Sequence, residues 1–541
     1  MKAIHADPRE IRRIFQESYI IPDFQRSYSW QIEQCDKLWE DFIFFHENKS
    51  SNDDKYFLGN IVIHPYGNKF AVIDGQQRLT TLILLIKAFH LRAGTVKALE
   101  ECLKIKDPLT SALTDEIRLD SRVLENDKTA LIQIVNGNVN NISESKLKDN
   151  FLFLGEKIDD WRITHNSATE LNELILTLLD NLVLLPIHCG SEDDALTIFE
   201  TINNRGMSLT DSDIFKAKLY SYAGNEKSVV IDLWRNLNDH DWYFRILMHI
   251  IRASENDISK EKALRAYFTA NESSRLSKWK TIVSSLEKIQ TISTFGENDS
   301  DIYILKSILS TYPNYYWNFP LFVFLFNNGD FNEDKTEVSL SEENNKKFIS
   351  LIHSTLKYFF IKGVVYNSVN AIRDTVFKVC AAISHGKDFI KEYKDNITEN
   401  DYAELGRKLQ NKQYGRYLRG LVLISAYLND MQDKNKFSLF LYGKYDIEHI
   451  LPKKWNNYDG GWSESIWKEE LNSLGNMMPL EHKLNISAQN DFFKRKQEIY
   501  KSSKVQDAID LSADSQLNWT PDSCKSRNDF KTDKILSYLT L

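Results

Sequence analysis

The stretch Tyr445-Asp446-Ile447-Glu448-His449-Ile450-Leu451-Pro452 determines the architecture that we predict for the C-terminal part of this chain. Glu448 stands directly before His449, and Asn476 and Asn485 follow farther along. The Glu448 carboxylate and the Asn485 amide oxygen are hard ligands of the kind that Mg²⁺ or Mn²⁺ prefers. His449 could take a proton from water as general base, and Asn476 could hold the intervening loop through two-sided hydrogen bonding. Two metal ligands and a general base are the groups that a one-metal phosphodiesterase needs. The cation would stabilise charge on the scissile phosphate and its leaving oxygen.

The order and spacing of these elements resemble the HNH, or His-Me finger, nuclease motif in the version with asparagine at the later positions. The resemblance covers roughly residues 440 to 500 and implies a ββα-metal nuclease unit. It implies His449 as the general base and Glu448 and Asn485 as metal ligands. It also implies that Asn476 is the asparagine that fixes the loop. The alternative for Glu448-His449, taken alone, is that the dipeptide ends a buried strand.

A basic segment overlaps the end of this motif. Between Lys483 and Lys504 six residues are basic and two are acidic, although the whole chain has a net charge of −8. The net charge of a whole chain is a poor guide to nucleic-acid binding when an acidic scaffold carries one local basic face. Phe492-Phe493-Lys494-Arg495-Lys496 predicts a helix with its aromatic side chains inward and its basic side chains available to phosphates; a merely solvated helix face is the alternative. The residues that we expect to contact DNA are Lys483, Lys494, Arg495 and Lys496.

Length and composition describe an ordinary globular protein with several domains. The chain has 541 residues, of which 42% are hydrophobic and 27% charged, enough for roughly two to four domains that each bury a core. Its five cysteines include no Cys-x-x-Cys pair, which argues against disulfides or structural zinc and fits a reducing cytoplasm. No apolar run approaches the roughly 18 residues of a membrane span, and the first residues lack a signal-peptide core. We therefore expect a soluble cytoplasmic protein with no membrane partner.

The N-terminal region carries a second, independent motif. The β-branched runs Tyr56–Ile63 and Phe70–Ile73 predict strands, and the second runs directly into Asp74-Gly75-Gln76-Gln77-Arg78. Apolar residues then recur at helical spacing from Leu79 onward. A strand, a glycine turn and a helix start present free backbone N–H groups to an anion. Arg78 adds a charge-assisted phosphate donor, Gly75 permits close backbone approach, and Asp74 could orient a metal, a water or a ribose hydroxyl.

Two further blocks accompany this turn. Gln25-Arg26 lies in the otherwise apolar frame Ile21 to Trp30, and Asn203-Asn204-Arg205-Gly206 precedes a helix that Thr210 or Asp211 could cap. An Asp-Gly turn before a helix is, by itself, more often a plain connection than a binding site. The three blocks together strengthen the case for a site.

These blocks resemble the N-terminal domain of GmrSD-type modification-dependent restriction systems over about residues 8 to 222. The resemblance implies a ParB/sulfiredoxin-like fold in which the Asp-Gly-Gln-Gln-Arg turn takes part in nucleotide binding and hydrolysis. The nucleotide would be GTP, UTP or ATP, which the sequence leaves unresolved. The residues implied to lie at the nucleotide are Asp74, Gly75, Gln76, Gln77, Arg78, Gln25, Arg26 and Arg205.

The sequence as a whole therefore predicts an α+β, predominantly helical protein. We expect a ParB-like nucleotide-binding domain at 1–222, a helical scaffold at 223–436 and an HNH nuclease domain at 437–541. The predicted function is a nucleotide-regulated, metal-dependent type IV DNA endonuclease that acts against modified phage DNA. One HNH site cuts one strand per encounter, so double-strand cutting would require a homodimer or successive nicks. The alternatives are an NTP-hydrolysing DNA-binding sensor with a weak or silent nuclease, and a nuclease toxin.

Overall fold

The computed structural model describes residues 5–541 except positions 24, 95, 108, 124, 139–141, 143, 192, 193, 196–209, 238, 270–274, 369, 430, 457, 459 and 517. The chain divides into two compact units. The first is Met1–Asn238 with Asn271–Trp279, and the second is Asp239–Ala270 with Lys280–Leu541. The boundary at 436 that the sequence predicts between scaffold and nuclease falls inside the second unit and stays a prediction.

A mixed seven-stranded sheet forms the centre of the first unit. Its strands are β1 (His5–Ala6), β2 (Arg9–Glu10), β3 (Tyr19–Ile21), β4 (Tyr56–Tyr66), β5 (Lys69–Asp74), β8 (Leu119–Ser121) and β9 (Leu182–His188), while β6 (Lys104–Lys106) and β7 (Leu113–Ile117) form a separate antiparallel pair. The order is β1-β9-β4-β5-β3-β8, with β2 also paired to β9. β4 is parallel to β9, and β3 is parallel to β5 and β8, whereas β4 and β5 are antiparallel. The small mixed sheet that the sequence predicts near the start of the chain is confirmed.

Apolar side chains that alternate between the two faces of β4 and β5 give the sheet two buried faces. Ile61 and Ile63 belong to one core, which includes the helix Gln76–Ala93, while Val62 and Ile73 belong to another. Successive side chains of a strand point to opposite faces, so apolar residues at consecutive positions require cover on both sides. This explains why these strands are continuously apolar in sequence.

Helices surround the sheet of the first unit. Their bounds are Ile11–Ile14, Ile32–Asn48, Gln76–Ala93, Lys97–Leu103, Glu125–Asn136, Lys146–Thr164, Ala168–Leu176, Asp211–Tyr222 and Lys227–Asn236, with a π turn at Thr177–Asn181 and 3₁₀ turns at Gly224–Glu226 and Arg275–Ser277. Ser145, Ser167 and Thr210 each accept a hydrogen bond from a backbone N–H of the first helical turn, which satisfies a donor that the helix leaves free. The cap predicted at Thr210 is confirmed.

The second unit is almost entirely helical. Its helices are His240–Ser254, Leu264–Thr269, Trp279–Ser293, Ser300–Leu309, Asn318–Asn328, Glu342–Tyr366, Arg373–Ser384, Phe389–Lys394, Glu399–Gln410, Leu418–Tyr427, Lys434–Tyr442, Glu464–Glu470, His482–Ala488, Phe493–Tyr500, Gln506–Ser512 and Pro521–Leu539, with 3₁₀ turns at Gly415–Tyr417 and Leu474–Asn476. Among the described helices Glu342–Tyr366 is long and apolar enough to cross a membrane, but 78% of its apolar window is buried inside the protein. It therefore packs as a core helix of this unit.

Two short antiparallel pairs interrupt these helices: β10 (Asp330–Phe331) with β11 (Val338–Ser339), and β12 (Tyr445–His449) with β13 (Met477–Glu481). The second pair is followed directly by the helix His482–Ala488, which packs on both of its strands. Met478 and Leu480 of β13 anchor the pair in a local core that also contains Phe493 and Trp519. The mostly helical α+β class that the sequence predicts is confirmed.

Candidate functional site

His449 is the last residue of β12, and its imidazole is buried. It lies opposite Met477 in the strand register, and 8% of it is exposed. Its Nε2 lies 3.2 Å from the amide oxygen of Asn472, and in the tautomer that donates to this oxygen, Nδ1 is the basic nitrogen. Burial lowers the pKa of His449 to about 4, and the hydrogen bond to Asn472 offsets this only in part. The imidazole is therefore neutral at pH 7 and able to accept a proton.

One carboxylate oxygen of Glu448 accepts hydrogen bonds from neighbouring side chains, and among the described residues the other does not. Its Oε1 accepts hydrogen bonds from the ammonium of Lys496 at 2.7 Å and from the hydroxyl of Tyr500 at 2.8 Å. Within the described part of the chain Oε2 accepts none. Because neighbouring side chains of a strand leave on opposite faces, the carboxylate lies across β12 from the imidazole of His449. Oε2 is the Glu448 atom that a cation could use.

The orientation of Asn485 is determined by its neighbour. Asn485 lies on the helix after β13, and its Nδ2 donates to Oδ2 of Asp446 at 3.1 Å. The same oxygen lies 2.7 Å from Nδ1 of His482. A carboxylate can only accept hydrogen bonds, so the nitrogen of the Asn485 amide must face Asp446. The amide oxygen, which is the atom that binds hard cations, is turned away from Asp446.

Asn476 ties together the two ends of the segment between the strands. Its Oδ1 accepts from the N–H of Leu451 at 2.7 Å, and its Nδ2 donates to the carbonyls of Leu451 and Leu471. This is the two-sided bonding that the sequence predicts for it. Gly475 beside it allows close packing, since a Cβ there would overlap the carbonyl oxygen of Cys524.

These residues can be tested for their fit to a divalent cation. In the described chain no hydrogen bond joins His449, Glu448 and Asn485 to one another, and no group of three His, Cys, Asp or Glu side chains is placed to hold a metal. The donors that remain are one carboxylate oxygen of Glu448 and the amide oxygen of Asn485. A sparse set of oxygen ligands completed by water suits Mg²⁺, which dehydrates reluctantly and keeps several waters. Both oxygens are of the kind that a hard divalent cation prefers, and neither suits a thiophilic one.

The predicted DNA-binding residues separate into two groups. Lys483, Lys494 and Arg495 are exposed, and Arg495 pairs with Asp491 at 3.1 Å. Lys496 is 0% exposed, so the prediction that it contacts a DNA phosphate is wrong. Its ammonium is directed inward to Glu448, where it compensates the charge of a buried carboxylate.

In the first unit, Gly75 makes the turn that the sequence predicts between β5 and the next helix. Its φ is +89°, and a Cβ there would lie 2.5 Å from a methyl carbon of Ile61, so both conformation and space require glycine. The first hydrogen bond back along the helix runs from the N–H of Leu79 to the carbonyl of Gly75. The N–H groups before Leu79 lack intrahelical acceptors, which is the arrangement that favours an anion.

Glutamine side chains join this turn to the Gln25-Arg26 block. Gln77 accepts from the N–H of Ser29 at 2.8 Å and donates to the carbonyl of Ser27 at 3.1 Å. Gln25 donates to the carbonyl of Ile73 at 3.0 Å. The two blocks that the sequence analysis relates are therefore in direct contact, and both glutamines hold backbone in place.

Asp74 and Arg78 form the charged part of the turn. Arg78 donates to the carbonyl of Asn60 at 2.8 Å, and its guanidinium lies against Gly59, where a Cβ would be 3.1 Å away. Burial raises the pKa of Asp74, opposed by the N–H of Gly75 and by the charges of Arg78 and Arg26. Burial likewise lowers the pKa of Arg78, opposed by Asp74. Both side chains are partly buried, and a partly buried guanidinium with several N–H donors is suited to an additional polar ligand.

A small cavity of about 20 Å³ lies beside the turn, with room for roughly one water molecule. Arg26, Gln76 and Gln77 line it, and their assignment to a nucleotide stays a prediction. Arg205, also predicted there, lies outside the described residues. The other lining residues, which the sequence analysis missed, are Ile21, Tyr28, Thr80, Ser121, Val123, Asp127, Leu131 and Leu147. Local sequence carries no signal for them, because they come from separate strands and helices.

Comparison with known proteins gives two family matches. Residues 10–220 match the model described as GmrSD restriction endonuclease, N-terminal domain, and residues 393–530 match the model described as GmrSD restriction endonucleases, C-terminal domain. The two cover about two thirds of the chain and contain the Gly75 turn and the His449 strand, respectively. A search of the curated proteins gives no match. By its sequence motifs, its mixed-sheet and helical units and these two matches, the chain belongs to the GmrSD restriction endonuclease family.

Proposed function

We propose that this restriction endonuclease is a nucleotide-regulated, Mg²⁺- or Mn²⁺-dependent enzyme of the HNH, or His-Me finger, type that restricts modified phage DNA. The observation that carries the proposal is the arrangement at β12. A buried, neutral His449 ends the strand. Among the described residues Glu448 and Asn485 each keep one oxygen free while a neighbour holds the rest of the polar group.

In the proposed mechanism His449 removes the proton from the attacking water. Its Nδ1 accepts this proton while Asn472 holds Nε2 and thereby the plane of the ring. A cation held by Glu448 and Asn485 would supply charge stabilisation at the scissile phosphate and its leaving oxygen. Asn476 ties the backbone at Leu451 to that at Leu471 and so would hold the segment after His449 in place. Lys483 and Lys494 contact backbone phosphates beside the site.

The first unit would bind the regulating nucleoside triphosphate. The helix N-terminus after Gly75 suits a phosphate group, and Arg78 adds cationic donors next to it. Arg26 and Gln76 line the adjacent cavity. A nucleotide that engages these groups would change the contacts of the Gln25-Arg26 block, which offers a route for regulation within this unit.

Nicking of supercoiled plasmid by the full-length protein tests the proposal most directly. We expect nicked and then linear product with Mg²⁺ or Mn²⁺, and none with EDTA. Matched modified and unmodified phage DNAs, each with and without GTP, UTP or ATP, then test the substrate and the regulation. Cleavage that is indifferent to EDTA would refute the metal-dependent mechanism, and equal cutting of both DNAs would refute modification dependence. Sedimentation during linearisation would show whether double-strand cutting requires a homodimer.

A further inference from the structure

The helix Phe493–Tyr500 directs two polar side chains into the protein, behind the strand that carries His449. Lys496 and Tyr500 are four residues apart, so they lie on one face of the helix, one turn apart. Neither is exposed to solvent. A wholly buried lysine is uncommon and requires a specific partner. Here the partner is Glu448, 48 residues away in sequence.

We propose that Lys496 and Tyr500 are positioning residues for cleavage, which orient Glu448 for the cation and set the main chain of His449. The inference rests on the proposed function, because it assigns a role relative to Glu448 as a metal ligand. Lys496 donates to Oε1 of Glu448 at 2.7 Å and to the carbonyl oxygen of His449 at 2.7 Å. Tyr500 donates to the same Oε1 at 2.8 Å. Two donors on one oxygen fix the rotation of the carboxylate and leave Oε2 as its free atom.

Through its hydrogen bond to the carbonyl of His449, Lys496 also positions the proposed general base. One ammonium bridges the side chain of Glu448 and the backbone of the residue that follows it. Any shift of Lys496 therefore moves the metal ligand and the base together. Partners of this kind, which orient a ligand without touching the metal, typically change metal affinity or activity by about 10- to 100-fold when removed.

A contribution to folding alone would not require this geometry. Buried ion pairs are weak stabilisers, since the desolvation penalty offsets their attraction, and apolar replacements of similar volume are often neutral or stabilising. The orientation of both donors on a single oxygen, with the other oxygen left unbonded among the described residues, instead suits a ligand that must present one atom.

Tyr500→Phe is the informative variant, because it removes one donor and keeps the ring and every charge. Lys496→Arg keeps the positive charge and has several N–H donors, so it serves as the charge-preserving variant. Tyr393→Phe is the matched control. Tyr393 is likewise fully buried in the second unit, and its hydroxyl bonds only the uncharged Thr355 among the described residues.

Mn²⁺ binding to the full-length variants, without DNA or nucleotide, is measured from the free Mn²⁺ signal in electron paramagnetic resonance, with Glu448→Ala as the blank. We expect Tyr500→Phe to weaken site-specific Mn²⁺ binding about tenfold. Lys496→Arg should retain most of the affinity, and Tyr393→Phe should bind as the wild type does. In plasmid nicking, Tyr500→Phe should raise the half-saturating Mn²⁺ concentration about tenfold and approach the wild-type rate at saturation.

Unchanged Mn²⁺ affinity and metal dependence in Tyr500→Phe would overturn the inference, provided that Glu448→Ala has lost the site. An equal loss in Tyr500→Phe and Tyr393→Phe would also overturn it, because that result assigns the effect to general destabilisation. If Glu448→Ala itself binds and cuts as the wild type does, the proposed metal site fails together with this inference. The three results are distinguishable from one another.

Discussion

Replacing His449 with alanine tests the proposed chemistry most sharply. The substitution removes the base, and loss of a general base typically lowers a rate by about 10²–10⁴-fold, or about 3 to 5 kcal/mol in the barrier. The imidazole hydrogen-bonds the side chain of Asn472 and also interacts with the backbone of Ile447. Each such bond contributes roughly 0.5–1.5 kcal/mol. The variant should therefore fold, bind metal and hydrolyse nucleotide while losing nicking.

The effect on stability has a pH signature. The pKa of His449 is lowered from 6.5 to about 4 in the folded protein, so folding favours the neutral imidazole. The wild type should lose stability as the pH falls from about 6.5 towards 4, because the unfolded chain takes up the proton first. The alanine variant lacks this group, so the free energy of unfolding of the wild type, relative to that of the variant, should fall over that interval by an amount on the order of 3 kcal/mol.

The assay is plasmid nicking at saturating Mg²⁺ together with thermal unfolding at pH 7 and pH 4.5. His353→Ala is a suitable control, since His353 also lies in the second unit and bonds Tyr538, outside the proposed site. We expect the control to cut normally after any loss of folded protein is corrected. Nicking by His449→Ala at an undiminished rate would remove His449 from the mechanism. A histidine resonance that is lost in His449→Ala and titrates near 6.5 in the metal-free wild type would refute the neutral buried imidazole.

Three further outcomes are expected. Glu448→Ala or Asn485→Ala should raise the metal requirement, with partial rescue by Mn²⁺ in the nicking assay, since ligand loss spares the base; no response to added metal would contradict this. Arg78→Ala should weaken nucleotide binding by about one to two decades in calorimetry, because a charge-assisted hydrogen bond contributes roughly 1.5–3 kcal/mol. The same variant should lose the NTP-dependent modulation of nicking while basal nicking persists. Lys483→Ala and Lys494→Ala should each lower DNA affinity and reduce the slope of its logarithm against log salt by about 1, and an unchanged slope would show that neither contacts a phosphate.

The local sequence was sufficient to predict the structure where a residue type and its immediate neighbours determine the conformation. The turn at Gly75 follows from a β-branched strand, a glycine and a helical repeat, and the structure has each in the predicted place. The two-sided bonding of Asn476 follows from the donor and acceptor of its amide beside a strand end. The family itself could be inferred from these blocks, because their order along the chain is part of the sequence.

The tertiary structure was needed to assign a role to a side chain whose contacting residue is distant in sequence. Lys494, Arg495 and Lys496 are equivalent in sequence, yet one of them is buried. The helical repeat indicates which residues share a face, but the helix is too polar to show which face packs against β12. The carboxylate of Asp446 beside Asn485 is likewise a contact between a strand and a later helix.

The sequence by itself therefore determined the fold class, the family and the residues that carry the proposed chemistry, since these depend on residue type, order and local periodicity. Only the tertiary structure decided that Lys496 supports Glu448 instead of DNA, that Asp446 orients Asn485, and that Tyr28 and Asp127 line the cavity beside the Gly75 turn. The physical reason is that burial and pairing of charges depend on which surfaces come together on folding, and one chain segment does not contain that information.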